Sequence, residues 1–307
     1  MKAIDKDFYD LIGELKNLSF TEIYHRIRKS FENVPAVTRK SCADFFNRFG
    51  YWGKLDESKG IYEQIELKAK VLSAHADDFA CLYERLGDYR SKRTLFSILS
   101  NWYRYDFKTT AETKEYLFDD YFDLDLVRCD ENEVIADLGA YTGDTVLSYI
   151  KNYGEDCYKK IYCYEITPSV FARLKENLSN YRDIDCRNKG VADKEGKMNI
   201  AVNTVSASAN VLSEENGDVT VTTLDADVKD NLTLIKADIE GFEKKALLGA
   251  KNHILTSRPK LLISVYHNND DLWEIPALID SFRTDYAFYL RYKSSFLYPT
   301  EITLFAL

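Results

Sequence analysis

No run in the 307-residue chain is apolar for long enough to cross a membrane. The longest, such as 260–266, fall far short of the roughly 20 residues a span needs. The opening residues Met1 to Asp7 carry charges where a secretory signal needs an apolar stretch, so export by that route is not expected and a cytoplasmic location is. The six cysteines (Cys42, Cys81, Cys129, Cys157, Cys163, Cys186) contain no C-x-x-C and no short paired spacing. Free thiols are therefore expected rather than disulfides or a zinc site. An excess of basic residues is also missing: 41 Lys and Arg stand against 50 Asp and Glu, a formal charge of −9. Such a surface has no electrostatic footprint for DNA or RNA. What the chain has in quantity is aromatic, with 22 Tyr and 17 Phe, for which packing is the ordinary use and a carbohydrate or partner platform the less ordinary one.

Two textures divide the sequence. Residues 1–125 read as an all-helical N-terminal domain with few glycines and no alternating strands. Ile61, Ile65, Leu72, His75, Phe79, Leu82 and Leu86 recur at spacings of three, four and seven, the apolar stripe of a helix. Ser19 followed by Glu22 predicts a capping box opening a helix from Phe20 to Asn33, ended by Pro35, and 91–105 reads as another helix. His75 lies on the apolar stripe and is expected in the core. Arg26, Arg28 and Lys29 read as a solvated helix face. These helices are also where a homo-oligomer would form, if one does.

Residues 126–307 alternate short apolar strands with helices. Strands are predicted at 134–138, 160–164, 184–188, 233–237 and 261–265, and helices at 142–153, 168–180 and 242–255. This alternation implies an α/β fold with a parallel sheet covered on both faces. The last two strands, 286–293 and 301–307, are joined by too short a link for a helical crossover and should pair antiparallel.

Three strand ends carry the chemistry. The first strand runs into Asp137-x-Gly139-Ala140-Tyr141-Thr142-Gly143, a glycine turn at a helix N-terminus that lets the backbone approach a ligand. The spacing differs from the G-x-G-x-x-G of dinucleotide sites, and an acid facing the ligand disfavours phosphate and suits an ammonium or sulfonium. The second strand ends in Glu165, where a carboxylate can accept hydrogen bonds from both hydroxyls of a ribose; capping of the following helix is the plainer role. The third ends in Lys236-Ala-Asp238-Ile-Glu240-Gly241, whose three charges share a face in extended backbone. An ion pair of Lys236 with one carboxylate leaves Asp238 at the mouth of the crevice.

Together with Thr223-Leu-Asp225, and above all with the run IKADIEGFEKKALLGA at 235–250, these segments resemble the FkbM family of S-adenosylmethionine-dependent methyltransferases. The resemblance covers about 130–307. It implies the class I methyltransferase fold, a Rossmann-like, mostly parallel seven-stranded sheet with an antiparallel last strand. It implies S-adenosylmethionine as cofactor and O-methylation of a hydroxyl, often on a sugar, glycan or natural product. Asp137, Gly139, Ala140, Tyr141, Thr142 and Gly143 would then hold the methionine end, Glu165 the ribose, and Val191 the adenine. An N/D-P-P-Y motif after the fourth strand is missing, which argues against methylation of nucleic-acid bases.

For the chemical step His267, Asp238 and Glu240 are the candidates. His267 follows the strand 261–266 and has a near-neutral pKa suited to a base; Asp238 is its rival. In a third reading Asp238 and Glu240 hold a divalent metal, although two carboxylates are few for such a site. Ser206, Ser208 and Asn210, in an insertion at 197–223, are candidates for acceptor binding or an ordinary polar turn. A nicotinamide- or nucleotide-dependent enzyme on the same sheet, and a catalytically idle cofactor-binding adaptor, are the competing functions.

Overall fold

The computed structural model describes residues 3–118, 121–201, 211–213, 217–295 and 297–307. Helices come first: α1 (Ala3–Lys16), α2 (Phe20–Glu32) and α3 (Ala36–Phe49) precede a two-stranded hairpin of β1 (Leu55–Asp56) and β2 (Ile61–Tyr62). Then follow α4 (Glu63–Ala74), α5 (Ala76–Arg85), α6 (Tyr89–Arg104) and α7 (Phe107–Thr113). The expected capping box is present at α2: the Ser19 hydroxyl accepts from Glu22 N–H while the Glu22 carboxylate accepts from Ser19 N–H. The hairpin was not anticipated, because strands of two residues have no period to detect. The long stripe from Ile61 to Leu86 is likewise two helices, parted at His75. That histidine is half-buried rather than in the core, bonded to Asp78 at 2.8 Å and stacked on Trp273 with centroids 4.1 Å apart. Arg26 and Arg28 are paired with Glu14 and Glu32.

The second texture holds β3 (Val134–Leu138), α8 (Asp144–Tyr153), β4 (Lys160–Tyr164), α9 (Pro168–Leu178) and β5 (Ile184–Arg187). Next come β6 (Gly190–Val191), β7 (Gly196–Ala201), β8 (Val211–Ser213), β9 (Val219–Thr222) and α10 (Leu224–Asp227). The chain closes with β10 (Leu234–Ala237), α11 (Glu243–Leu248), α12 (Lys251–Ser257), β11 (Lys260–Ser264), α13 (Asp271–Phe282), β12 (Phe288–Tyr292) and β13 (Ile302–Ala306). A seven-stranded sheet runs in the order β12-β13-β11-β10-β3-β4-β5, parallel through β11, β10, β3, β4 and β5. All residues of β3 and β10 are buried, the signature of strands covered on both faces. The order departs in both directions from β3, which makes its carboxyl end a topological switch point. A small sheet, β6-β9-β7-β8, occupies the insertion.

The helix expected at 242–255 is two helices. Gly249 interrupts it, and a Cβ there would lie 2.0 Å from the carbonyl oxygen of Ala192, so the chain must bend to let two backbones meet.

Two compact units are formed, and neither is one continuous stretch of chain. The first comprises Met1–Glu115, Val265–Ala277 and Ala287–Thr303; the second comprises Tyr116–Ser264, Leu278–Tyr286 and Leu304–Leu307. Within the first, Phe8 stacks on Tyr83, and the buried guanidinium of Arg291 in β12 is held by Asp88 and Ser91 at the start of α6.

Candidate functional site

The carboxyl ends of β10, β3 and β4 border a pocket within the second unit. Gly139 contributes from just after β3, Glu165 and Ile166 from just after β4, and Asp238, Ile239 and Glu240 from just after β10; Lys189, Val191 and Leu212 also line it. Beside it Ile166, Leu212, Val221, Phe242 and Ile239 form a continuous apolar cluster. The pocket therefore has an acidic mouth and an apolar flank.

Gly139 sits where no other residue fits. Its φ is +76°, and a Cβ would lie 1.9 Å from the carbonyl oxygen of Asp238. The turn after β3 and the end of β10 are thus in backbone contact, which lets both strand ends border one crevice. Gly143, at φ +89°, then starts α8 against Leu174 and Leu178.

Glu165 is buried, and burial pushes its carboxyl above the usual carboxylate range. Its Oε1 accepts the N–H of Thr167 at 2.7 Å, so part of its capacity goes to the start of α9. The residue nonetheless borders the pocket.

Asp137 differs from the expectation that it faces a ligand. It is 1% exposed and does not border the pocket; its Oδ1 lies 3.0 Å from the ammonium of Lys236. The cause is register, since Lys236 stands directly opposite Asp137 in the β10–β3 ladder. Lys236 Nζ also donates to the carbonyl of Gly139 at 2.9 Å. Burial opposes the ammonium, but Asp137 and Asp238 outweigh it and hold the Lys236 pKa above that of an ordinary lysine. The pair stiffens the glycine turn from beneath.

Of the residues singled out in the sequence, Gly139, Glu165, Val191, Asp238 and Glu240 border the pocket, while Ala140, Tyr141, Thr142 and Gly143 form the turn without bordering it. His267 belongs to the first unit and is 1% exposed, its ring 4.1 Å from that of Tyr266 and 5.8 Å from that of Tyr51. Ser206, Ser208 and Asn210 lie outside the described residues. Leu212 was not anticipated; it comes from an edge segment whose position depends on the small sheet.

Residues 137–291 match the Methyltransferase FkbM domain family. A crystal structure of a methyltransferase FkbM from Methylobacillus flagellatus KT superimposes with a TM-score of 0.66 at 23% identity, over 81% of this chain and 64% of that one. The likeness shows a shared fold, and the chain spans less than two thirds of that protein. Two more distant structures are an rRNA methylase from Streptococcus thermophilus (TM-score 0.37, 13% identity, 58% of this chain and 87% of that one) and fibrillarin from Aeropyrum pernix (0.38, 14%, 65% and 73%). No curated protein matches the chain in sequence. Among the described residues, no helix is long and apolar enough to cross a membrane.

Proposed function

The chain belongs to the FkbM methyltransferase family, and from that premise we propose that it moves the methyl group of S-adenosylmethionine to a hydroxyl oxygen of a sugar, glycan or natural product. The observation that carries this reading is the pocket at the switch point. It puts a buried carboxylate, Glu165, and a glycine cradle, Gly139, on one side of a crevice and an apolar flank on the other. The donors and surfaces present fit the cofactor. Glu165 would bind ribose hydroxyls, Val191 and Leu212 would meet the adenine, and the 139–143 turn would hold the amino-acid end.

When bound, the sulfonium supplies an electrophilic methyl group with a good leaving group. The residues of the chain need only align a hydroxyl and remove its proton. Asp238 is the proposed proton acceptor, because it carries a carboxylate, borders the pocket and lies in the same unit as Glu165. Ser206, Ser208 and Asn210 remain proposed acceptor contacts. The net charge of −9 favours a small molecule or glycan over a nucleic acid.

Calorimetry tests the cofactor assignment. S-adenosylhomocysteine should bind the wild type, and Glu165→Ala should weaken it by about 1.5–3 kcal/mol for each lost bond to the charged acceptor. Unchanged affinity in the variant removes the ribose role. A screen of glycoside acceptors for S-adenosylhomocysteine release tests the reaction. There, Asp238→Asn should lower kcat by about 10²–10⁴-fold and exceed the effect of His267→Ala. The reverse ranking makes His267 the base.

A further inference from the structure

Tyr121 lies in the lead-in to the sheet, outside the strand-end motifs, yet its phenol reaches the side chain of Asp238, a pocket residue. Its hydroxyl donates to Asp238 Oδ2 at 2.6 Å and lies 3.3 Å from Ser264 Oγ at the end of β11. The Lys236 ammonium sits 5.1 Å from the centroid of the same ring, a cation–π distance, while it pairs with Asp137. Two adjacent strands, β10 and β11, thus place the Lys236 ammonium, the Asp238 carboxylate and the Ser264 hydroxyl around one buried ring. Tyr121 is held at φ +61°, a backbone region that bulky side chains rarely adopt and that persists only where the surroundings over-determine it. Packing alone needs no hydroxyl there, since phenylalanine would fill the same space.

We propose that Tyr121 is the positioning residue for Asp238: its O–H holds the carboxylate ionised and in one orientation, ready to receive the proton of an acceptor hydroxyl. In that step the acceptor oxygen forms its bond to the methyl carbon, the carbon–sulfur bond breaks with its electron pair left on sulfur, and the hydroxyl proton passes to Asp238. The proposal rests on the methyl-transfer reading and deepens it. It also assigns a purpose to the Lys236–Asp137 pair, because a cation against the ring strengthens the phenol as a donor.

The test needs no acceptor. Protein labelled with ¹³C at aspartate Cγ gives the titration of Asp238, its resonance identified by loss in Asp238→Asn. Donation to the ionised form lowers a carboxyl pKa, so Tyr121→Phe should raise the Asp238 midpoint by about one pH unit, a tenfold gain in proton affinity. Affinity for S-adenosylhomocysteine should change less than about threefold. A midpoint that does not move overturns the proposal, as does a tenfold loss of S-adenosylhomocysteine affinity, which would make Tyr121 part of the cofactor wall. If Tyr121→Phe does not fold, Asp238→Asn with tyrosine labelled at Cζ serves instead. One tyrosine should then ionise about one unit lower, and the absence of any such change overturns the proposal equally. Should the wild type bind no S-adenosylhomocysteine, the methyl-transfer reading falls, while the titration still decides the Tyr121–Asp238 pair.

Discussion

Among the described residues each unit buries one lysine, and the two are treated in opposite ways. Lys236 in the sheet unit has Asp137 at 3.0 Å and the Gly139 carbonyl at 2.9 Å, and is held charged. Lys68 in the helical unit has no hydrogen-bond partner; its ammonium faces the rings of Phe46 and Tyr105 at 5.1 and 5.3 Å. Burial lowers its pKa from 10.5 to about 7, against a small opposing pull from Cys42. Burial is the same at both sites, and what differs is whether a neighbouring element supplies an anion. A parallel sheet does so, because its register brings side chains of different strands face to face. The helix packing around α4 supplies aromatic faces, which attract a cation far less than a carboxylate does.

That contrast is open to direct attack, and the largest effect should come from the paired lysine. Lys236→Met leaves the Asp137 carboxylate buried without its partner, which should cost about 3–5 kcal/mol in denaturant unfolding. A cost below 1 kcal/mol would mean that the pair contributes little. Gly139→Ala should follow, since φ +76° and a Cβ at 1.9 Å from the Asp238 carbonyl force backbone displacement. S-adenosylhomocysteine affinity should fall by at least tenfold in that variant, and normal binding would show that the cradle can yield.

Lys68 should behave in the opposite sense. Its folded pKa of about 7 lies below the 10.5 of the unfolded chain, so between those values only the unfolded state holds the proton. Wild-type stability should therefore rise by a few kcal/mol from about pH 7 to 10.5 on account of this residue, with its full penalty present below pH 7. Lys68→Met should be more stable than the wild type at pH 7 and lose that advantage as the pH approaches 10.5. An equal stability difference at pH 7 and 10 would show that the amine does not titrate inside the fold. The smallest effect is expected from Ser19→Ala, which removes one side of the capping box and should cost about 1 kcal/mol. The loss should be the same with and without S-adenosylhomocysteine; a loss that changed with ligand would tie this helix to the site.

Local signals carried far in this sequence. The capping box at Ser19 and Glu22, the apolar runs of β3 and β4, and the glycine turn at 139–143 were legible because each depends on a few consecutive residues. The break at Gly249 was not, because it arises where α11 and α12 meet the backbone of Ala192, more than fifty positions earlier in the chain. Nor was the hairpin of β1 and β2, too short for any period to register. The family, too, was legible, from the run at 235–250 and the strand ends before it.

The sequence alone determined the strand–helix alternation that follows residue 126, and it determined that Gly139, Glu165 and Asp238 stand at the ends of three of those strands. It also showed that Lys236 would need an anion. Only the tertiary structure decided which one. The choice fell on Asp137 rather than on Asp238 or Glu240, because the β10–β3 register sets Lys236 and Asp137 opposite each other on one face, while Asp238 lies beyond the strand end. There the phenol of Tyr121 holds it, brought from a lead-in segment that no spacing connects to it. Residues a hundred positions apart meet only through the tertiary fold, and the buried lysine of the sheet unit is the one whose partner the ladder puts across from it.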